Sequence, residues 1–391
     1  METVDLLVIG GGINGAGIAQ CAAAAGYRVM LLEKETIAAQ TSANSSKLIH
    51  GGLRYLESGQ LPLVRKSLAD RKALLKLAPS LVYPIPFYIP VYENSRRSPW
   101  TIRAGLSLYA FLSEFDPLGQ FKSIPSIHWS KIKGLKLHGL KAVYQYWDAQ
   151  TDDQLLTQAV IKNARTLGLE VIEHAKCTSI AHKQRHCLVR YQHEAIEHEV
   201  EARAVVNAAG PWVNQVLETV SPPLSAEPIE WVQGSHLLLD IPANDGILYL
   251  ESCFDKRVIF VMPWKGQTLI GTTEVPLTSL MAKPSVTPEE TEYLLGIYHH
   301  YFSCFGDIAA LKKRLIGSFC GVRVLPKQEG KAFDRPRDTI QKVQASHPNL
   351  LSLYGGKLTT YRTTASEVCE WLEGTIGKRQ TLADFEKLFL D

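Results

Sequence analysis

A glycine-rich turn near the start of the chain is the strongest constraint on what this sequence can fold into. An apolar run from Val4 to Ile9 precedes a G-x-G-x-x-G motif that spans Gly10 to Gly15. Small residues dominate the segment from Ile13 to Ala25, and Val29 to Leu32 is apolar again. This order predicts a buried strand, a helix and a second, parallel strand joined by a right-handed crossover. The glycines let the backbone turn sharply and approach a pyrophosphate at the helix N-terminus.

The same region raises the question of a membrane span, because Leu6 to Tyr27 is a stretch of 22 residues without a charge. That length is sufficient to cross a bilayer. The stretch contains six glycines together with Asn14 and Gln20, so it would make a poor lipid-spanning helix. We therefore interpret it as a strand, a tight turn and a buried helix. The acidic start, Met-Glu-Thr-Val-Asp, also predicts no cleaved secretory leader.

Composition sets the class of protein. A chain of 391 residues predicts two or three domains at about 150 residues each. Hydrophobic residues make up 46% and charged residues 21%, which excludes a disordered chain and a polytopic membrane protein. The net charge of +3 argues against a nucleic-acid partner. Seven cysteines without a C-x-x-C pair predict free thiols in a reducing, cytoplasmic compartment, and no metal site is expected.

An acidic residue strengthens the prediction of a dinucleotide site. Glu33 ends the second strand, 18 residues after Gly15, where its carboxylate can accept hydrogen bonds from ribose hydroxyl groups. The same carboxylate would repel a 2′-phosphate and so disfavours NADP. FAD and NAD share this fingerprint, and at this point the choice between them stays open.

The rest of the chain is predicted to alternate helices with two groups of strands. Predicted helices are 61–78, 98–113, 152–167, 287–302, which opens with the capping box Thr287-Pro288-Glu289-Glu290, and one that begins near Thr360. Predicted strands after the helix 152–167 are 169–173, 176–182, 186–192 and 198–206. A second group at 231–240, 247–252, 257–263 and 267–273 predicts an antiparallel sheet, followed by strands at 315–324 and 349–354. Residues 79–92 hold four prolines and are interpreted as extended chain between domains.

Longer polar motifs distinguish between the two dinucleotides. The run T-S-A-N-S-S-K-L-I-H-G-G-L-R-Y-L-E occupies residues 41–57, and G-G-K-L-T-T-Y-R occupies 355–362. Shorter motifs are N-A-A-G-P-W at 207–212, Q-G-S-H at 233–236, G-T-T at 271–273 and G-V-R at 321–323. With these residues the chain resembles the FAD-dependent glycerol-3-phosphate dehydrogenases, a branch of the D-amino-acid-oxidase-like flavoproteins. The resemblance covers nearly the whole chain. The 41–57 and 355–362 runs are its specific parts, whereas the glycine fingerprint and the A-A-G turn are shared by many flavoproteins.

The resemblance implies an α/β fold with two domains. A Rossmann-like FAD-binding domain of the glutathione-reductase and D-amino-acid-oxidase type is expected from residues 1–78, 148–210 and 340–391. An antiparallel β-sheet domain that caps the substrate is expected from residues 79–147 and 211–339. Fuller members of the family continue with a helical domain that is not part of this sequence, which leaves the oligomeric state and the contact with the electron acceptor open.

The resemblance also implies a reaction, the oxidation of sn-glycerol 3-phosphate to dihydroxyacetone phosphate by hydride transfer from C2 to N5 of FAD. A phosphate dianion needs cations, and arginine binds it with two parallel hydrogen bonds. Arg54 with Tyr55 is the first expected phosphate site, and Arg337 is the second.

The 2-hydroxyl group must lose its proton, and histidine is suited to accept it. His236 and His50 lie in matching motifs, while Arg323 and Lys357 could polarise the developing carbonyl oxygen. Which group takes the proton stays open.

A larger set of residues is expected to contact FAD. The helix that begins near Thr360 could direct its free N–H groups at the flavin. The expected contacts are Gly10, Gly12, Asn14, Gly15, Glu33, Thr41, Ser42, Ser45, Ser46, Lys47, Leu48, Gly52, Cys177, Ala209, Gly210, Trp212, Gly356, Lys357, Leu358 and Thr359.

The electron acceptor is less constrained by the sequence. Arg96, Arg97, Trp100 and Arg103 lie among apolar residues of the predicted helix 98–113, which suits either a helix on a bilayer surface or one packed on the capping sheet. Bacterial members of the family look like peripheral membrane enzymes that pass electrons to quinone, so peripheral attachment and a quinone partner are expected, with oxygen as the other acceptor. Two further functions stay open, a flavin oxidase of another hydroxy or amino compound and a non-catalytic flavin-binding module.

Overall fold

Two β-sheets, one of nine strands and one of ten, carry the fold within the residues described. A computed structural model describes residues 2–114, 116–255, 257–280, 283–327 and 339–390. The strands begin, in chain order, with β1 (Glu2–Ile9), β2 (Val29–Leu32), β3 (Leu48–Ile49), β4 (Val82–Tyr92), β5 (Lys122–Ser123), β6 (Leu140–Thr151), β7 (Glu170–Ile172), β8 (Lys176–His182), β9 (Cys187–His193) and β10 (Ile196–Asn207). They continue with β11 (Val220–Ser221), β12 (Ile229–Pro242), β13 (Ile247–Glu251), β14 (Val258–Trp264), β15 (Gln267–Gly271), β16 (Val275–Leu277), β17 (Leu315–Pro326), β18 (Ile340–Gln344) and β19 (His347–Tyr354).

Most α-helices begin where the sequence places a helix-starting signal. They are α1 (Ile13–Ala24), α2 (Leu61–Leu77), α3 (Pro99–Leu112), α4 (Asp153–Thr166), α5 (Val213–Leu217), α6 (Pro288–Tyr301), α7 (Ile308–Lys313) and α8 (Tyr361–Ile376). The predicted capping box of α6 is confirmed, with Thr287 and Glu290 bonded reciprocally. Ser98 caps α3 and Asp152 caps α4 through their side chains. The short helices α5 and α7 were not predicted, because their apolar periodicity covers barely more than one turn.

The first sheet confirms the predicted strand, helix and parallel strand at the start of the chain. Strand β1 lies between β10 and β2 and is parallel to both. Leu6, Leu7 and Val8 are fully buried, as expected for a strand that is covered on both faces. Each such side chain stabilises the fold by about 2 kcal/mol through burial. Strand β19 joins the other side of the parallel part by pairing with the C-terminal end of β10.

Helices α1 and α8 pack closely on this sheet. A Cβ atom on Gly17 of α1 would lie 2.4 Å from the ring of Tyr361, the first residue of α8. Only glycine at this position allows the two helices to approach so closely. The N-termini of both helices are therefore fixed relative to one another.

The second sheet is mostly antiparallel, as expected, and carries one parallel pair between β13 and β4. Its register places Phe319, His236, Gly271, Phe260 and Tyr249 in one row across strands β17, β12, β15, β14 and β13. Side chains in such a row share one face of the sheet. We call this set the histidine row.

Two strands of the second sheet depart from the sequence-based interpretation. Residues 82–92 were expected to be a link between domains, but they form β4, paired along its length with β6. Prolines stand at the alternate positions 84, 86 and 90, so their missing N–H groups lie along one edge, where β13 pairs only at Phe87 and Tyr88. Strand β6 was not predicted at all.

Two short strands also lie outside the predicted domain boundaries. Val220–Ser221 pairs with β8 in the first sheet, and Leu48–Ile49 pairs with β6 in the second. The chain therefore passes from one sheet to the other inside the expected domains as well as at their boundaries. The predicted division at residues 78, 147, 210 and 339 remains a proposal.

Candidate active site

A large cavity of about 1220 Å³ lies between the two sheets. Its walls come from the turn after β1, the segment from Ala38 to Tyr55, the turn after β10, the segment from Gly355 to Thr359, and His236, Phe260 and Tyr249 of the histidine row. Every one of these segments except the row lies in a loop or at the end of a strand or helix. The motifs recognised in the sequence therefore lie around one cavity.

The glycine turn at one end of the cavity needs its glycines for close backbone contacts. Gly10 has a φ of +109°, and a Cβ atom there would lie 2.6 Å from the carbonyl oxygen of Ala208. A Cβ atom on Gly15 would lie 1.9 Å from the carbonyl oxygen of Gly10. Gly10 and Gly12 line the cavity, whereas Gly15 lies behind it and shapes the turn. The predicted contact of Gly15 with the cofactor stays a prediction.

Glu33 is held in place by backbone donors. Its carboxylate accepts hydrogen bonds from the N–H groups of Gly11 at 2.6 Å and Glu35 at 2.9 Å. Next to it, the ammonium group of Lys34 lies 3.2 Å from the centre of the Trp212 ring, a cation–π contact. These side chains form the far end of the cavity from the histidine row.

Cys177 lines the same end. Burial raises the pKa of its thiol to about 12, so the group is uncharged at neutral pH. A buried, neutral thiol acts as a small apolar side chain rather than as a nucleophile.

The 41–47 segment is organised around a buried ion pair that the sequence analysis did not predict. The Lys47 ammonium lies 2.5 Å from the Asp153 carboxylate, and Asp153 also accepts a hydrogen bond from the N–H of Ser45 at 2.8 Å. Lys47 is not among the residues that line the cavity, and its expected contact with the cofactor stays a prediction. Ser42 is placed where expected, with its hydroxyl accepting from the N–H of Ile13 at 2.9 Å.

His236 is the most constrained titratable group in the cavity wall. Its Nε2 lies 3.0 Å from the Ser46 hydroxyl, and its ring stacks on Phe319 at 4.9 Å between centroids. A Cβ atom on Gly271, the neighbour in the histidine row, would lie 2.1 Å from the imidazole. Glycine at position 271 is therefore what leaves space for the ring.

The charge state of His236 follows from its surroundings. Burial, and to a lesser extent the charges of Lys47 and Arg323, lower its pKa to about 3. The imidazole is consequently neutral in the ligand-free protein at pH 7. No described residue forms a hydrogen bond with Nδ1, whereas Nε2 is engaged by Ser46.

A second cluster gathers around the ring of Tyr55. The Lys357 ammonium lies 3.9 Å from the ring centre, the Arg54 guanidinium lies 5.1 Å from it, and the His50 ring lies 6.3 Å from it. The two specific motifs of the sequence thus meet in space. Burial opposes the charge of Arg54, but Tyr55 and Glu274 raise its pKa, so the guanidinium stays charged.

Arg323 approaches from the second sheet. Its Nη2 lies 3.4 Å from the carbonyl oxygen of Thr273 and 3.8 Å from the Glu274 carboxylate. Arg323 is on the same side of β17 as Phe319 and lines the cavity. Arg337, the second expected phosphate ligand, lies outside the described residues.

The segment before α8 closes the cavity from the first sheet. Gly355 and Gly356 have φ angles of +77° and +110°, and a Cβ atom on Gly356 would lie 2.3 Å from the Asn14 side chain. The Thr359 hydroxyl accepts a hydrogen bond from the N–H of His50 at 3.2 Å. Helix α8 begins at Tyr361, as predicted, with its N-terminus next to the cavity.

The other predicted site residues also line the cavity. They are Thr41, Ser45, Ser46, Leu48, Gly52, Ala209, Gly210, Trp212, Lys357 and Leu358.

Several supporting residues were missed by the sequence analysis. Glu290 is buried and accepts hydrogen bonds from Ser235 at 2.7 Å and Gln233 at 2.8 Å, next to His236 on β12. The role of Glu290 in the capping box could be predicted from the sequence. Its hydrogen bond with Ser235 could not, because the two residues are 55 positions apart. Phe260 and Tyr249 were missed because nothing local shows that they share a row with His236. Asp148, a further buried residue, was missed because it lies on β6, whose near-continuous burial gives no alternating pattern.

Comparison with known proteins identifies the family. The profile of the DAO family, described as FAD-dependent oxidoreductase, matches residues 5–362. The chain belongs to this family. It is 36% identical over 383 residues to a glycerol-3-phosphate dehydrogenase of Pseudomonas aeruginosa, an alignment that covers 95% of this chain and 72% of that protein. It is also 36% identical over 386 residues to the aerobic glycerol-3-phosphate dehydrogenase of Escherichia coli, covering 95% of this chain and 74% of that one.

A solved structure gives the same result. The glycerol-3-phosphate dehydrogenase of Bacillus halodurans complexed with FAD superimposes with a TM-score of 0.74 and 25% identity, covering 99% of this chain and 68% of that chain. The predicted fold, a Rossmann-like FAD-binding domain with a β-sheet cap, is confirmed.

FAD is the cofactor of the family, and the residues of the cavity fit it. Gly10 brings the backbone close enough for a pyrophosphate to approach the N-terminus of α1. Glu33 offers a fixed carboxylate for ribose hydroxyl groups at the end of β2. The buried Oδ1 of Asn14 has no hydrogen-bond partner among the described residues, as expected for an atom that a bound group satisfies.

Proposed function

We propose that this protein oxidises sn-glycerol 3-phosphate to dihydroxyacetone phosphate. The observation that carries the proposal is the cluster of Arg54, Lys357 and His50 around Tyr55, in the same cavity wall as the buried, neutral His236. Relatives of 36% identity that bear the name glycerol-3-phosphate dehydrogenase support it. When bound, FAD supplies the two-electron acceptor for the hydride that leaves C2 of the substrate.

The cations at Tyr55 have the chemistry to hold a phosphate dianion. Arg54 offers a planar set of hydrogen-bond donors, and Lys357 offers a point charge. The Arg54 guanidinium lies 5.1 Å and the Lys357 ammonium 3.9 Å from the centre of the Tyr55 ring. Partial burial strengthens their attraction for a dianion because little water screens it. We assign the phosphate-binding role to these residues and Tyr55.

His236 is our first choice for the proton of the 2-hydroxyl group, and His50 is the second. Neutral His236 can accept a proton, although its low pKa makes it a weak base before substrate binds. A bound phosphate dianion adds negative charge to the cavity and so raises the pKa of the imidazole toward a useful value. Arg323 and Lys357 stabilise the negative charge of the alkoxide that forms as the proton leaves. Once the hydride has also left, C2 carries a carbonyl group.

Substitution of Arg54 tests the proposed phosphate site. Arg54→Ala is expected to raise KM for sn-glycerol 3-phosphate by about a hundredfold, because a charged hydrogen-bonded pair is lost, while FAD content stays at the wild-type level. Arg54→Lys should restore part of the affinity. Arg65→Ala, which removes an exposed arginine of α2, is the matched control and should behave as wild type. An unchanged KM in Arg54→Ala would remove Arg54 from the site.

A substrate panel separates this function from the alternatives. An oxidase of another hydroxy or amino compound would turn over glycolate, lactate or an amine and would not require a phosphate group. A non-catalytic module would retain FAD that none of these compounds reduces. We expect reduction by sn-glycerol 3-phosphate and no reduction by glycerol at equal concentration.

We propose further that the protein acts on the inner face of the cytoplasmic membrane and passes its electrons to a quinone. No described helix is long and apolar enough to cross a bilayer. Helix α3 instead exposes Trp100 and Phe111, at 79% and 63% of their surface, together with the cation Arg103. Large exposed apolar side chains beside a cation are typical of helices that lie in a membrane surface.

Vesicle sedimentation tests this attachment. A Trp100→Ser, Phe111→Ser double variant should lose binding to vesicles that contain anionic lipid, while the wild type sediments with them. Ile196→Ser, which removes an equally exposed apolar residue at the end of β10, should bind as wild type does. Equal sedimentation of all three proteins, or none from the wild type, would contradict surface attachment through α3.

A further inference from the structure

A buried polar network lies directly behind the turn that carries His50 and Arg54. The carboxylate of Asp148, on β6, accepts a hydrogen bond from the N–H of Gly51 at 3.2 Å and lies 2.5 Å from the guanidinium of Arg71, on α2. The Tyr109 hydroxyl, on α3, donates to the same carboxylate at 2.8 Å and accepts from the N–H of Gly51 at 3.0 Å. Side chains from β6 and α3 thus converge on one backbone N–H group, and Arg71 of α2 pairs with one of them, Asp148.

The network is separate from the cavity. Asp148, Arg71 and Tyr109 are at most 2% exposed, and none of them lines the cavity. They therefore cannot touch substrate or cofactor directly. Their contact with the site runs through Gly51, which stands between His50 and Gly52 in the chain.

Gly51 and Gly52 pass this restraint on to the phosphate-binding residues. A Cβ atom on Gly51 would lie 2.3 Å from the Tyr109 hydroxyl oxygen, so the hydroxyl fits against a bare backbone. Gly52 has a φ of +78°, and a Cβ atom there would lie 2.1 Å from the Tyr55 ring. The turn is therefore fixed from behind by Tyr109 and Asp148 and in front by the ring that Arg54 and Lys357 contact.

Fold stability alone is a poor reason for such a network. Burial of a carboxylate, a guanidinium and a phenol costs desolvation energy, and the attraction within the ion pair roughly cancels that cost. Apolar residues of the same shape would stabilise the core equally well. Directed hydrogen bonds, in contrast, fix a backbone group in one position. A site that binds a dianion with a few cations depends on such fixed positions.

We propose that Tyr109 and Asp148 are positioning residues that hold the 50–55 turn in the geometry that binds the substrate phosphate. The proposal rests on the proposed function, since it assigns the network to the phosphate site of that reaction. Tyr109 orients the N–H of Gly51, Asp148 anchors Tyr109, and Arg71 neutralises Asp148.

Tyr109→Phe is the mildest test, because it removes one hydroxyl group and leaves Asp148 paired with Arg71. We expect KM for sn-glycerol 3-phosphate to rise about tenfold, while kcat at saturation changes less than about twofold, since phosphate binding is weakened without loss of a reacting group. The concentration of inorganic phosphate that perturbs the flavin absorption spectrum should rise by the same factor. FAD content should equal that of the wild type.

Tyr144→Phe is the matched control. The Tyr144 hydroxyl donates to the carbonyl oxygen of Pro99 at 3.1 Å and so anchors the start of α3. If Tyr109 only stabilised α3, both variants would lower Tm and leave KM and the phosphate effect unchanged, and the proposal would be overturned. A rise in KM confined to Tyr109→Phe supports it.

The outcome also separates the proposal from the proposed function. Wild-type protein that sn-glycerol 3-phosphate reduces, combined with unchanged KM and phosphate response in Tyr109→Phe, overturns the positioning role alone. Wild-type flavin that sn-glycerol 3-phosphate does not reduce and phosphate does not perturb overturns both.

Discussion

At the scale of single residues, the charge state of His236 is the property that the cavity controls most strongly. Its imidazole is buried, faces two cations and has a pKa of about 3, against about 6.5 in an unfolded chain. The motif Q-G-S-H predicts a site residue at His236, and the structure places this side chain in the cavity wall. Its protonation state was not predictable, because the burial and the cations come from β17 and the 41–47 segment, which are distant in sequence.

This low pKa gives a testable dependence of stability on pH. Between pH 6.5 and pH 3 the unfolded chain binds a proton at position 236 that the folded protein does not, so stability falls as pH falls through this window. The loss amounts to about 2 kcal/mol between pH 7.5 and pH 5. His236→Gln has no such proton and should lose less Tm over the same range than the wild type, as measured by thermal unfolding of the FAD-loaded proteins. Equal losses in both proteins would show that His236 is not held neutral.

At the scale of elements, strands and helices were predicted correctly where the residues that determine them are close together in the sequence. Strand β1, helix α1 and strand β2 were readable because their apolar runs and glycine turn lie within 35 residues. The capping box of α6 was readable for the same reason. Strand β6 escaped prediction, and with it Asp148, because the partner that explains its pattern is β4, a strand with three prolines.

The histidine row shows what register adds to motifs. The sequence contains Q-G-S-H and G-T-T as separate signals, but only the pairing of β12 with β15 places Gly271 beside His236. The missing side chain at Gly271 leaves the space that the imidazole occupies. Lys47 shows the reverse case, since its motif predicts a cofactor contact but gives no sign of the buried ion pair that it forms with Asp153.

A glycine-to-alanine exchange tests this packing. Gly271→Ala should displace the His236 ring, because the added Cβ atom would lie 2.1 Å from it, and kcat should fall at least tenfold with FAD retained. Gly317→Ala, on β17 of the same sheet, places its Cβ atom 3.8 Å from the nearest side chain and serves as the control with kcat unchanged. A Gly271→Ala enzyme with wild-type kcat would show that the position of the ring does not matter to the reaction.

At the scale of the whole molecule, the cavity is a product of both sheets. The first sheet supplies the glycine turn, Glu33 and the segment before α8, and the second supplies His236 and Arg323. Two specific motifs, 300 residues apart, meet at the Tyr55 ring. Their meeting could be expected from family resemblance, whereas the distances of Arg54 and Lys357 from the ring required the structure.

The most direct test of the central claim is an anaerobic titration of the FAD-loaded protein, followed by flavin absorbance near 450 nm. We expect full bleaching by about one equivalent of sn-glycerol 3-phosphate per flavin, because one substrate molecule delivers two electrons. Glycerol at the same concentration should leave the spectrum unchanged. Purified protein that binds no FAD, or bound FAD that glycerol or an amine bleaches as readily as sn-glycerol 3-phosphate does, would contradict the account.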